Sequence, residues 1–254
     1  MSDPTYPHDY RIIAGSDVRP TIVGGQAVNL WAITFLEDGD PPLSTKYASG
    51  DLDVLSGPRV LEFLKSLEPE WHVEKTPFWN FGDGRQAVAY GIAPDQRKLL
   101  VEVLTSVHGL DAHDLKAIEE IEYAGATYRL LDPIVLLKAK AANVRDFDQD
   151  GVPPRHDRTH LKLVARCWPL YLRRLHAASL DKSEDAQKAA AGVFSRAFDT
   201  LQHRKTAETL AAENIDRPAL MPPEFVDSPN ERICNAYRHQ MPRLLAAKPN
   251  SPTS

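Results

Sequence analysis

Thr21-Ile-Val-Gly-Gly-Gln-Ala-Val-Asn-Leu-Trp31, followed by Gly50-Asp51-Leu-Asp-Val-Leu55, is the stretch on which the fold turns. Its first part reads as an apolar lead-in, a paired-glycine turn and a helix start. Its second part reads as a short buried strand with carboxylates at i and i+2. A side-chain period of two puts Asp51 and Asp53 on one face and turns Leu52 and Val54 to the core. Paired carboxylates beside a glycine turn at a helix N-terminus suit a metal-bound triphosphate.

Working outward, Ala27, Val28, Leu30, Trp31, Phe35 and Leu36 make a helical stripe, and 37–50 is a loop rich in Gly, Pro and Ser. Residues 1–20 are polar and proline-bearing and are expected to be partly ordered. Gly57-Pro58 opens a helix that ends near Pro69. Strands are expected at 71–78, 87–93 and 98–107, and a hairpin at 122–129 turning on Gly125. After Asp132, an N-cap with Pro133 at the first helical position, the pattern is helical: 134–144, a segment through 161–168, one long helix over 183–214 and a last one over 229–247. The expected fold class is α+β: a mixed-sheet α/β domain over 1–131, then an all-α domain over 132–254 with a fraying tail.

The chain has 254 residues, 43% apolar and 26% charged, with a formal charge of −5. That is ordinary for a soluble globular protein and gives no global nucleic-acid signal. The two cysteines, Cys167 and Cys234, lack metal spacing and read as reduced thiols. Neither a secretory signal nor a membrane span is expected, so the expected location is cytoplasmic.

Glu102 stands alone inside the most apolar strand, among Leu100, Val101, Val103 and Leu104. An ionised carboxylate there is costly to bury unless a cation meets it. Asp51, Asp53 and Glu102 therefore carry two readings. They are separate solvated or capping acids, or they are three ligands on adjacent strands for divalent ions and a nucleotide phosphate.

Gly24-Gly25 with Asp51-Leu-Asp53 resembles the hG[GS]…Dh[DE]h signature of the DNA polymerase β nucleotidyltransferase superfamily. Gly24-Gly25-Gln26-Ala27-Val28-Asn29-Leu30 is similar to the lead of its AbiEii/AbiGii-type branch, which includes toxins of toxin–antitoxin systems. Candidates for that branch's lysine and R…D motif are Leu136-Leu-Lys-Ala-Lys-Ala141 and Arg155-His-Asp-Arg-Thr-His-Leu161. About 25 residues separate Gly25 from Asp51, so the loop 37–50 is an insertion relative to the signature.

The resemblance implies a nucleotidyltransferase. Asp51 and Asp53 would ligate one or two Mg²⁺ ions that grip an NTP. Glu102 would complete the acceptor-side ion and help deprotonate the attacking hydroxyl. Backbone N–H groups of Gly24, Gly25 and Gln26 would cradle phosphate, with Thr45 and Lys46 assisting. Lys138 or Lys140 would neutralise phosphate charge; spaced by two, both cannot face one site, and Lys140 is preferred. The implied acceptor is a hydroxyl of RNA, protein or a small molecule, with tRNA and an antitoxin protein as implied partners. The alternative is a non-catalytic module of the same fold that binds nucleotide or a partner protein.

Other patterns are weaker. His156 and His160 with Asp157 form a metal pair lacking a third ligand at sensible spacing. Asp146, Asp148, Asp150 and Gly151 imitate the start of a calcium loop, interrupted by Pro153-Pro154. Arg166, Arg173, Arg174 and His176 make either a backbone-tracking basic cluster or a solvated helix face.

Overall fold

The computed structural model describes residues 4–37, 47–76, 84–151, 155–180 and 182–246. Seven strands, β1 (Thr21–Val23), β2 (Leu52–Leu55), β3 (His72–Lys75), β4 (Arg85–Ile92), β5 (Lys98–Leu104), β6 (Ile118–Tyr123) and β7 (Ala126–Leu131), form one mixed sheet. Its order is β3-β4-β5-β2-β1-β7-β6. The β1–β2 pair is antiparallel, whereas β1–β7 and β2–β5 are parallel. The helices are α1 (Arg11–Ala14), α2 (Gly24–Leu36), α3 (Pro58–Ser66), α4 (Pro133–Asp146), α5 (Asp157–Leu180), α6 (Glu184–Gln202), α7 (Arg204–Ala212) and α8 (Glu231–Ala246). The fold class is α+β, with a helical C-terminal half.

The apolar lead-in at 21–23 is a full interior strand of the sheet, between β2 and β7. Its three residues are all buried, so neither alternation nor length marks it as a strand. The hairpin turn is Ala124-Gly125, both with positive φ (51° and 77°), as a two-residue turn between twisted strands requires. Asp132 caps α4 as expected, its Oδ1 accepting the N–H of Val135 at 2.9 Å. The expected single helix over 183–214 is two, broken at His203, whose ψ of 119° is extended.

The N-terminal segment is more deeply built in than its polar composition suggests. Tyr10 is fully buried, and its hydroxyl reaches Thr5 Oγ1 and the Leu100 carbonyl, both at 3.1 Å. Thr5 bridges to Ser49 through paired backbone bonds, so this segment pins the residues leading into β2.

β7 ends at Leu131 and α4 begins at Pro133, yet buried side chains on both sides of that point form one cluster. Trp31 of α2 shows how: its indole N–H donates to the Leu131 carbonyl at 2.9 Å, and its ring meets Tyr171 of α5 edge-on at 5.7 Å. The basic cluster expected on α5 is partly spent within the fold. Arg173 pairs with Glu224, His176 meets Ser228, and Arg174 lies over Trp31 and Phe35. Among the described residues, no helix is long and apolar enough to cross a membrane.

Candidate active site

Chain pairing, not local sequence, assembles the acids. β2 and β5 run parallel with Asp53 opposite Glu102, while β1 runs antiparallel to β2 with Val23 opposite Asp53. Asp51, Asp53 and Glu102 each offer a carboxylate oxygen, and these oxygens all lie within 4.8 Å of one another. It is the one such group of metal-ligating side chains among the described residues.

The chain leaves β1 directly into α2 at Gly24, and this junction sits on Asp53. Gly24 has φ +64°, and a Cβ there would lie 1.8 Å from Asp53 Oδ2. Only glycine permits both the backbone and the approach. At Gly25 a Cβ would come within 2.7 Å of Ser49 Oγ and 3.0 Å of His160 Cε1. Among the described residues no side chain caps α2, so its first-turn N–H groups are the open donors of a helix N-terminus beside the acids. The side chain of Gln26 points elsewhere: it is fully buried and bonds Thr5 at 3.1 and 3.2 Å.

The two lysines of α4 part company. Lys140, 6% exposed, bonds Asp157 Oδ1 at 2.8 Å and lines the same cleft as the three acids, a cavity of about 410 Å³. Asp157 also takes Arg155 Nε at 2.8 Å and Asn143 Nδ2 at 3.1 Å. Lys138 faces a different cavity, where it bonds Asp114 Oδ2 at 2.6 Å. The structure therefore does not bring Lys138 to the acids; half a helical turn separates the two directions. Thr45 and Lys46 lie outside the described residues.

Electrostatics follow from this crowding. Burial, followed by the neighbouring Asp51 and Glu102 carboxylates, pushes Asp53 up to about 8, with Lys140 opposing. Burial also raises Asp51, against a hydrogen bond from Ser49 and the charges of Lys140 and Arg155. For Asp157 burial pushes upward too, but Lys140, Arg155 and Asn143 outweigh it and hold the carboxyl below the usual range. His160 is driven down to about 3 by burial and then by Lys140, so it is neutral and no acid at physiological pH. Three carboxylates this close, two of them with a raised affinity for protons, are short of positive charge. They are hard oxygen donors, the set that suits Mg²⁺ or Mn²⁺ rather than a softer ion, and the missing side chain of Gly24 lets the Asp53 carboxylate lie against the start of α2.

Sequence reasoning missed Arg85. It opens β4 and meets Glu102 with Nη1–Oε1 at 2.8 Å, the cation that a carboxylate in an apolar strand demanded. It missed the cleft wall as well, where Phe147 carries Arg155 over its ring at 4.6 Å and His108 at 4.7 Å. A loop phenylalanine and a strand-end arginine carry no signal until the chain is folded.

No family model and no curated protein matches the chain. Among solved structures it is similar to an antigenic nucleotidyltransferase-like protein from Paracoccidioides brasiliensis. That match has 16% identity and a TM-score of 0.42, and covers 83% of this chain and 95% of that one. So distant a likeness carries no weight for fold or function.

Proposed function

We propose that this protein is a Mg²⁺-dependent nucleotidyltransferase that moves a nucleotidyl group from an NTP to a hydroxyl. The observation that carries the reading is the convergence of Asp51, Asp53 and Glu102 beside the open N-terminus of α2. Acids alone repel a triphosphate. Acids that hold a cation, next to outward-facing backbone N–H groups and Lys140, attract one.

Asp51, Asp53 and Glu102 would hold one or two ions. Magnesium there would neutralise phosphate charge and acidify the attacking hydroxyl. The first-turn N–H groups of Gly24, Gly25 and Gln26 donate to phosphate oxygens. Lys140, fixed by Asp157, places a positive charge beside them. The acceptor oxygen attacks the α-phosphorus and its proton passes to a carboxylate of the cluster, Glu102 being the candidate base. The bond from the α-phosphorus to the bridging oxygen breaks, and pyrophosphate leaves with the electron pair.

The resemblance to AbiEii/AbiGii-type toxins extends the reading to a macromolecular acceptor such as tRNA, a cytoplasmic setting and a neutralising antitoxin. It also treats 1–131 as the nucleotidyltransferase domain and 132–254 as a helical partner domain. The test is incorporation of label from each α-labelled NTP into total cellular RNA and protein with Mg²⁺. Wild type should label a discrete band and Asp53→Ala should not. Equal labelling by Asp53→Ala would defeat the assignment. Labelled NTP bound without transfer to any acceptor would favour the non-catalytic module.

A further inference from the structure

We propose that Phe147, flanked by His108 and Arg155, is the platform on which the base of the incoming NTP stacks. This deepens the nucleotide reading of the same cleft and rests on it.

Two chain segments lead from the charged groups of the cleft to one pair of rings. Lys140 and Asn143 of α4 and Phe147 just past its end recur at helical spacing and all line the cleft. Seven helical residues rise about 10 Å, which leaves room for a sugar between phosphates held near Lys140 and a base at Phe147. On the other segment Glu102 and Leu104 of β5 are followed by Ser106 and His108, again all lining the cleft. The segments meet where the His108 and Phe147 ring centroids stand 4.7 Å apart, with the Arg155 guanidinium 4.6 Å from the Phe147 centroid.

A single exposed apolar side chain is ordinary. Phe147, 39% exposed, is the one large apolar residue so exposed among the described residues that lines this cleft. It is also held. Its N–H donates to the Asn143 carbonyl at 3.0 Å, and the buried Gln149 side-chain amide donates to its own carbonyl at 2.9 Å. His108 Nε2 lies 2.9 Å from Asp146 Oδ2, and Arg155 Nε donates to Asp157 Oδ2 at 2.8 Å. Three flat groups are thus set before a ligand enters, which lowers the cost of binding. A π-face beside a guanidinium is a surface on which bases stack. The cavity of about 410 Å³ is of small-molecule size, which favours the NTP over the base of a large acceptor. Asn143, the one side-chain amide lining the cleft among the described residues, spends Nδ2 on Asp157 at 3.1 Å and buries Oδ1. Stacking therefore carries the recognition, and stacking is tolerant of base identity.

Calorimetric titration of α,β-methylene ATP and of inorganic tripolyphosphate, both with saturating Mn²⁺, separates base from phosphate. Phe147→Ala should bind the ATP analogue about tenfold more weakly, the loss of one stacked base, and bind tripolyphosphate as wild type does. Phe147→Leu keeps the apolar bulk without a π-face; it should lose nearly as much, and it serves where Phe147→Ala melts early. Phe147→Tyr should bind like wild type, and the UTP analogue should follow the ATP analogue throughout. Unchanged binding of the ATP analogue in Phe147→Ala and Phe147→Leu overturns the proposal. An equal loss of tripolyphosphate overturns it too, since Phe147 would then act on the phosphates through Arg155. So does loss of transfer with analogue binding intact, which would give the ring to the acceptor. In all three cases wild type still binds both ligands and the reading of the cleft stands. If wild type binds neither, that reading falls and this one with it.

Discussion

Two acidic stretches of similar spacing meet opposite fates. Asp51 and Asp53 flank Leu52 at the start of β2. Asp146, Asp148 and Asp150 follow one another at the end of α4 and into the next loop. In the loop each acid finds a local partner. Asp146 takes Arg145 and His108, Asp148 takes the N–H of Asp150 at 3.0 Å, and Asp150 takes Arg158. In the strand, the backbone is committed to the ladder and the side chains are forced onto one face, where Glu102 adds a third charge. The loop acids are solved locally. The strand acids are left with a shortage of positive charge that only a partner from outside the strand can meet, and that shortage is the functional signal.

The largest test of this contrast concerns the cations. Lys140→Met removes the buried partner of Asp157 and should cost ~3 kcal/mol, as breaking a buried pair does. In a chain of this size that is a fall in Tm of roughly 6–12 °C. Arg158→Met removes an exposed partner of Asp150 and should cost under about 1 kcal/mol. Parallel melts decide it: similar losses in the two variants would mean that the cleft is as well solvated as the loop.

Next come the glycines. Gly24→Ala faces both a positive φ and a Cβ 1.8 Å from Asp53 Oδ2, and should destabilise by ~2–3 kcal/mol while abolishing Mn²⁺ binding. Gly151→Ala places its Cβ 3.5 Å from Asp148 Oδ2, an ordinary contact, and should stay within about 0.5 kcal/mol. A Gly24→Ala protein that folds and binds Mn²⁺ like wild type would show that Asp53 has room to retreat.

Much of this site was legible because it depends on local rules. The period of a strand put Asp51 and Asp53 together, Gly24-Gly25 marked the helix start, and Glu102 stood out as a charge in an apolar run. What stayed hidden depends on pairing across the chain. Nothing in the sequence sets Asp53 opposite Glu102, brings Arg85 to it from another strand, or makes the three-residue Thr21–Val23 an interior strand between β2 and β7. The spacing of Lys138 and Lys140 showed that only one enters the cleft, and Asp157, more than a helical turn of sequence away, shows which. The helix break at His203 was hidden for a milder reason: helix formers flank it on both sides.

A smaller and more discriminating effect is the pH dependence, where the two acid groups should differ in sign. Asp53 is raised to about 8 in the folded protein, chiefly by burial, from an unfolded value of ~3.9. The folded state thus holds this proton more tightly, and its contribution to stability is present below pH 4 and lost as pH rises to about 8. Asp146 is held down at about 2 by hydrogen bonds from Arg145 and His108, so its contribution is present above its unfolded value and lost as pH falls toward 2. In metal-free buffer, Asp53→Asn should match wild type near pH 4 and exceed it at pH 8 by roughly 1–3 kcal/mol, since Asp51 and Glu102 share the titration. Asp146→Asn should do the reverse, falling below wild type at neutral pH and converging with it in acid. Mn²⁺ must displace the Asp53 proton, so its affinity for wild type should climb from pH 6 to pH 8. Thermal melts of both variants from pH 2 to pH 8 read the signs directly. Parallel curves for Asp53→Asn and wild type would mean that the cluster is already neutralised within the chain, most directly by Arg85 and Lys140, and would remove the reason for a metal to bind there.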